Sequence, residues 1–285
     1  MTQNTGTSSQ IFEYLRVLTI AGSDSGGGAG IQADIKTFAA LGCYAMTAIT
    51  ALTAQNTLGV TAIQGTSPDM LCAQIDAVLS DIGAHAVKVG MLHSPEIVRV
   101  VGDAVDRHHL KNVVLDPVMV ATSGAVLVAE SAVSVIVREL FPRSLIVTPN
   151  LDEAALLVGR PLRSEREMEL AAHEILRMGA NAVLVKGGHL PGDLVCDLLL
   201  TKGSEAHWMR AKRIDTVNTH GTGCTLSSAI AAYLASGTSL RKSVEGARTY
   251  VRAALESGAA VRTGAGNGPL NHGHSPAVMQ LIPLP

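Results

Sequence analysis

Aromatic side chains are scarce in this sequence: three phenylalanines, four tyrosines and one tryptophan make up 3% of 285 residues. Little is available to stack on exposed bases, which disfavours a single-stranded nucleic-acid platform. The core has to be built from Ala, Val, Leu, Ile and Gly, which suits helices packed closely on a parallel sheet. Charge of one sign is lacking too. Lys plus Arg total 22 against 24 Asp plus Glu, a formal net charge of −2. No basic block stands out, so nothing in the balance selects a nucleic acid or an acidic membrane as partner.

Cysteine is sparse, at Cys43, Cys72, Cys196 and Cys224. None forms a C-x-x-C pair or has a histidine at metal-ligand spacing. Such scatter reads as reduced thiols of a cytoplasmic protein. The ten histidines give no H-E-x-x-H pattern. No hydrophobic run is long enough for a membrane span, because Asp116, Pro117, Ser123, Gly124 and Glu130 interrupt the longest tract, Val113 to Val137. Met1 to Gln10 is polar and unlike a signal peptide.

What is present is rhythm. Hydrophobic residues reach 47%, an ordinary globular share. Short β-rich runs alternate with helical patterns. Arg16–Ala21, Tyr44–Leu52, Ala86–Val89, Asn112–Asp116, Leu145–Thr148 and Ala182–Lys186 predict strands. Helices are predicted over Ile31–Leu41, Pro68–Asp81 (with Ser67 as N-cap), from Ser94-Pro95, over Ser131–Leu140, from Asn150 to Val158 and over Glu165–Met178. Leu194–Leu200 and Ala206–Arg210 flank Lys202-Gly203-Ser204 and predict an antiparallel hairpin. Helices Cys224–Ala235 and Leu240–Glu256 follow. The pattern predicts one α/β domain over residues 16–285, with a mainly parallel sheet between helices, behind a flexible tail over residues 1–15.

Two glycine loops stand out. Gly22-Ser23-Asp24-Ser25-Gly26-Gly27-Gly28-Ala29-Gly30 joins a strand to a helix, either as a flexible turn or to let a ligand approach the backbone. It lacks the Lys-Ser/Thr of a Walker A loop, and its glycine spacing does not match G-x-G-x-x-G. Asn218-Thr219-His220-Gly221-Thr222-Gly223-Cys224-Thr225 precedes another helix. It is either a capped loop or an anion pocket of main-chain N–H groups.

Read in order, several segments resemble the hydroxymethylpyrimidine/phosphomethylpyrimidine kinases of thiamine synthesis, in the ribokinase-like superfamily. They are Thr19–Asp24, Gly27–Asp34, Thr50–Thr57, Lys88–Leu92, Leu115–Met119, Thr148–Ala154, Lys186–His189 and Asn218–Thr225. The resemblance implies a three-layer sandwich with ligands at the strand ends. It implies ATP as co-substrate, Mg²⁺, a pyrimidine alcohol as substrate and a homodimer. It places Gly221, Thr222, Gly223 and Cys224 around the transferred phosphate. Cys224 then stands at a helix N-terminus, where a lowered thiol pKa would make it a proton acceptor. An idle capping thiol is the alternative. Lys186 would reach a phosphate, and Asn150, Glu153, Lys186 and Thr222 would hold ATP. Glu153 and Asp116 would lie near Mg²⁺. Asn150 and Glu153 also have the spacing of a capping box.

For the substrate, Gly22, Asp34, Gln55, Met91 and Val118 are implied. A glutamine amide offers a donor and an acceptor, matching an aminopyrimidine's ring nitrogen and amine. Thr53 stands where a valine is familiar. A pyridoxal kinase and a silent pyrimidine-binding regulator are the alternatives.

Overall fold

The computed structural model describes residues 10–119 and 130–284. In chain order the elements are β1 (Phe12–Tyr14), β2 (Arg16–Asp24), α1 (Gly30–Ala40), β3 (Tyr44–Asn56), β4 (Gly59–Gly65), α2 (Pro68–Asp81), β5 (Ala86–Val89) and α3 (Pro95–Arg107). Then come β6 (Val113–Leu115), α4 (Glu130–Leu140), β7 (Ile146–Val147), α5 (Leu151–Val158), α6 (Glu165–Arg177), β8 (Ala182–Val185), β9 (Leu194–Thr201), β10 (His207–Lys212), α7 (Thr222–Ala235), α8 (Leu240–Gly258) and β11 (Leu281–Pro283).

One sheet has nine strands in the order β10-β9-β8-β7-β6-β5-β2-β3-β4. Its six central strands run parallel, from β8 to β3. The flanking β4, β9 and β10 are antiparallel. Successive side chains of a strand face opposite ways, and here both faces are covered. In β2, Leu18 and Ile20 enter one core and Val17 the other. In β8, Val183 and Val185 oppose Ala182 and Leu184 in the same manner. The first core takes Ile75 of α2, Ile97 of α3, Ile136 of α4 and Met168 of α6. The second takes Phe38 of α1, Ile230 of α7 and Val251 of α8. The result is the expected three-layer α/β sandwich.

The ends of the parallel run depart from the sequence expectation. β3 continues past Leu52 to Asn56 and folds back as β4. The extra residues alternate between exposed and half-buried, so they carry no apolar run to read. The tail expected through residue 15 fails at Phe12–Tyr14, which pairs with β11; residues 1–9 of that tail lie outside the described residues.

Asp34 also needs correcting. It does not line the cavity below; it is fully buried on α1. Lys88 Nζ of β5 reaches both its oxygens, at 3.1 and 2.9 Å. Thr19 and Ser228 each donate a hydroxyl to it at 2.6 Å. With these partners its carboxylate is used up inside the fold. It joins α1, β2, β5 and α7 and neutralises a lysine with no exposure at all. Burial alone would lower the Lys88 ammonium, but the carboxylates of Asp34 and Asp116 keep its pKa above the usual lysine value. Removing one partner of such a pair strands a buried charge. We expect Asp34→Ala to lose about 3–5 kcal/mol in urea unfolding. Adding Lys88→Met should recover much of the loss; additive losses would count against this account.

Candidate active site

The six parallel strands end on one edge of the sheet, where open α/β folds bind ligands. A cavity of about 740 Å³ opens there. Each chemically useful group arrives at or just past a strand end: Gly22 and Asp24 in the last residues of β2, Met91 after β5, Asp116 after β6, Asn150 after β7 and Lys186 after β8. The N-terminus of α7 enters from one layer and closes the floor with Gly223 and Cys224.

The two glycine loops touch. Gly221 has φ 82°, and a Cβ there would sit 1.8 Å from the Gly28 carbonyl oxygen. Only glycine fits both the left-handed backbone and that approach. Asp24 ties the first loop by accepting from the amides of Gly26, Gly28 and Ala29 at 2.8, 3.0 and 2.8 Å. Its Oδ2 also takes the His220 ring nitrogen of the second loop at 2.9 Å. Burial would raise the Asp24 carboxyl, but His220 and the amides hold it below the usual carboxylate range. Neither role was legible, although an Asp inside a glycine loop is a common amide acceptor.

At the other wall Lys186 is almost enclosed, with its side chain 14% exposed. Its Nζ lies 2.9 Å from Asp116 Oδ1 and 3.9 Å from Glu153 Oε2. Its backbone is strapped to the neighbouring strand end, the Lys186 N–H donating to the Pro149 carbonyl at 2.9 Å. The ammonium faces α7 so closely that a Cβ on Gly223 would lie 3.2 Å from it. Burial would lower its pKa, yet Asp116 and Glu153 raise it. Asp116 is likewise subject to burial, which raises it, but the charges of Lys186 and Lys88 hold it down. Asp116 is therefore a firm anion, Lys186 a firm cation.

Asn150 and Glu153 form the capping box of α5. The Asn150 side chain accepts from Glu153 N–H at 2.9 Å and Glu153 Oε2 from Asn150 N–H at 2.7 Å. Both also line the cavity, so the cap and the site coincide. Burial pushes the Glu153 carboxyl up to about 7, helped by nearby Asp116 and opposed by Lys186.

From sequence, Cys224 reads either as a proton acceptor with a thiol pKa lowered at its helix N-terminus or as an idle capping thiol. Burial pushes the thiol pKa up to about 11; Lys88 and the Gly30 N–H oppose this, while Asp34 and Asp116 add to it. Loss of water outweighs the helix dipole, and the group stays a thiol at neutral pH. Its main-chain amide is a different matter. The amides of Gly221, Gly223 and Cys224 have no partner among the described residues, whereas Thr222 N–H is taken by the Thr219 carbonyl at 3.2 Å. The cradle has three free amides, not four.

Asp116 already has protein partners. Its Oδ1 holds Lys186 and Thr148, and its Oδ2 accepts from Ser227 at 3.2 Å. Among the described residues no cluster of three or more His, Cys, Asp or Glu is placed to hold a metal. Asp116 and Glu153 both line the cavity, and their carboxylates fit Mg²⁺ as outer partners of an ion carried in on phosphates and water.

Gly22, Gln55, Met91 and Val118 line the opposite end of the same cavity. Gly22 lets the Met91 thioether close in, since a Cβ would lie 2.7 Å from Met91 Cε. Gln55 lies beside Thr53 and His220. Lys88 lies buried beneath the wall of this cavity and was missed, though a lone lysine inside the run Ala86-Val87-Lys88-Val89 signals a buried charge.

The family model described as phosphomethylpyrimidine kinase matches residues 24–271. The chain belongs to that family. A hydroxymethylpyrimidine/phosphomethylpyrimidine kinase from Rhizobium meliloti (strain 1021) is 52% identical over 258 residues, covering 90% of this chain and 96% of that relative. The crystal structure of phosphomethylpyrimidine kinase from Clostridium difficile 630 superposes with a TM-score of 0.74 at 42% identity, covering 84% of this chain and 99% of that one. The pyridoxal kinase from Staphylococcus aureus, in complex with AMP-PCP and pyridoxal, superposes with a TM-score of 0.83 at 35% identity, covering 91% and 93%. A phosphomethylpyrimidine kinase and a pyridoxal kinase thus both superpose on this backbone.

Glu153 supplies a pH test. Its folded pKa is raised from 4.5 to about 7. Its favourable contribution is complete below 4.5 and is lost as pH rises through about 7. Replacing it with glutamine should remove on the order of 3 kcal/mol of that loss. Urea unfolding of wild type and Glu153→Gln from acid to neutral pH measures it. Parallel pH profiles would show that the Glu153 pKa is not raised on folding.

Proposed function

We infer that this enzyme transfers the γ-phosphoryl group of ATP to the hydroxymethyl oxygen of 4-amino-5-hydroxymethyl-2-methylpyrimidine, and then phosphorylates the monophosphate to the diphosphate. One observation carries the reading: an amide cradle with a lysine and a glutamine-bearing alcohol pocket share a single cavity. A pure binding protein has no use for the first.

The pyrimidine lies between Met91 and Val118, with its edge on Gln55 and its hydroxymethyl group toward α7. ATP lies with its base near Leu226, Val251 and Leu255, and its phosphates near Asn150 and Thr222. Arg213 fixes the rim beside it, donating to the carbonyls of Gly188, Leu190 and Gly192 at 2.7, 2.6 and 3.0 Å. Lys186 and the free amides of Gly221, Gly223 and Cys224 meet the charge that develops on the migrating group. Asp116 aims the lysine. Mg²⁺, held by the nucleotide phosphates and by Glu153 through water, would supply further neutralisation.

Cys224 is not needed as a base. In a loose phosphoryl transfer the alcohol keeps its proton late and gives it up to a phosphoryl oxygen or water as the β–γ bridge breaks and ADP leaves, so positioning does most of the work. The second nucleophile is a phosphate with a pKa of about 6, already ionised at neutral pH. One site therefore serves both steps.

Gln55 favours the aminopyrimidine over pyridoxal, because its amide matches a ring nitrogen beside an amine. A homodimer through the β4 edge accounts for Leu52, Leu58 and Ile63, which stand 54%, 70% and 43% exposed. The described residues include no helix long and apolar enough to cross a membrane. A cytoplasmic setting fits four free, scattered thiols.

Coupled ADP release with Mg²⁺, the aminopyrimidine and pyridoxal tests the assignment; a large preference for pyridoxal would overturn it. Lys186→Ala should lower kcat by about 10²- to 10³-fold, as loss of an oxyanion donor does. Cys224→Ser should cost under about tenfold in either step, since its amide survives. A selective loss of the first phosphorylation would restore the thiol as proton acceptor.

A further inference from the structure

Gln55 reaches the cavity from a fixed root. Its N–H donates to Ser25 Oγ at 2.8 Å, and that hydroxyl donates back to the Gln55 carbonyl at 2.7 Å. The carboxamide oxygen lies 3.1 Å from Thr53 Oγ1 and the nitrogen 3.4 Å from His220 Nε2. Neither contact is satisfied that way round. Thr53 has one hydroxyl proton, and the Ser23 carbonyl at 2.8 Å can only accept it. Toward Gln55 the Thr53 oxygen therefore offers a lone pair, facing another lone pair. His220 Nε2 stands 2.9 Å from Asp24 Oδ2, so that nitrogen carries a proton directed at the carboxylate. The amide nitrogen beside it sets donor against donor.

Half a turn of the carboxamide removes both conflicts. Its nitrogen then donates to Thr53 Oγ1, and its oxygen accepts a share of the His220 proton. The two ends of an amide have nearly the same shape, so only the partners tell them apart. We propose that Thr53 and His220 lock the Gln55 carboxamide in this one orientation and so dictate which donor–acceptor order it reads on the substrate's edge. The inference rests on the pyrimidine kinase reading above.

With both partners in place, Gln55 keeps one N–H and one carbonyl lone pair for a ligand. A ring nitrogen beside an exocyclic amine fits them, with the amine on the His220 side. A 4-oxo analogue presents the reverse order, a ring N–H beside a carbonyl. It would need the amide turned over, against Thr53 and against His220. A lone glutamine reads both orders equally, because it turns freely. Thr53 and His220 are thus positioning residues that turn an indifferent amide into a selective one.

The test compares kcat/KM of the full chain for 4-amino-5-hydroxymethyl-2-methylpyrimidine and its 4-oxo analogue, by ADP release. Valine has the shape of threonine without the hydroxyl, and an unchanged unfolding midpoint would confirm that the variant folds. In Thr53→Val the amino-over-oxo ratio should fall about tenfold, the worth of one hydrogen bond. The change should lie in KM for the pyrimidine, with KM for ATP unmoved, and Thr53→Ser should restore the ratio. A wild type that turns over the amino compound, with the ratio unmoved in Thr53→Val, overturns this inference alone. A wild type that ignores the amino compound overturns the proposed function as well.

Discussion

The site depends on keeping two lysines charged where little water reaches them. Lys186 and Lys88 both approach the N-terminus of α7, whose free amides already carry partial positive charge. Three positive sources in so small a volume would repel one another and leave the fold. Asp116 and Asp34 prevent that, one beneath each lysine. The fold thereby sets the lysines and the free amides in place before any phosphate arrives, so little reorganisation is required during transfer.

Much of the sheet was legible because its parallel strands are buried on both faces, and such strands read as short apolar runs. Ala86–Val89 and Ala182–Val185 appear where expected. The antiparallel edges were harder. Gly59–Gly65 is mostly exposed and carries no apolar signal, so β4 becomes visible only through its pairing with β3. The site divided in the same way. Gly22, Gln55, Met91, Val118, Asn150, Glu153, Lys186 and the α7 loop line one cavity. What the sequence hid was partnership across long separations. Asp34 meets Ser228 and Asp24 meets His220, contacts that no local spacing reveals. The choice between a reactive and an idle Cys224 thiol could not be made from sequence, because burial, which opposes the helix dipole, is a tertiary quantity.

Similarity of backbone and identity of sequence pull in different directions here. The chain superposes more completely on a pyridoxal kinase than on a phosphomethylpyrimidine kinase, while its sequence is nearer the latter. Both substrates are flat nitrogen rings bearing a hydroxymethyl group, and both need the same phosphate apparatus. A scaffold shaped by phosphate transfer therefore says little about which ring it holds. Discrimination falls to a few polar atoms over the ring edge, and to whatever fixes their direction.

The small ladder between β1 and β11 has a practical side. Strand β1 leads into the start of β2, and the cavity lies past the far end of that strand. Either end of the described chain is therefore anchored on the face opposite the mouth. A resin, dye or tether attached there would leave the entrance clear, and both attachment points would share one short distance from each other.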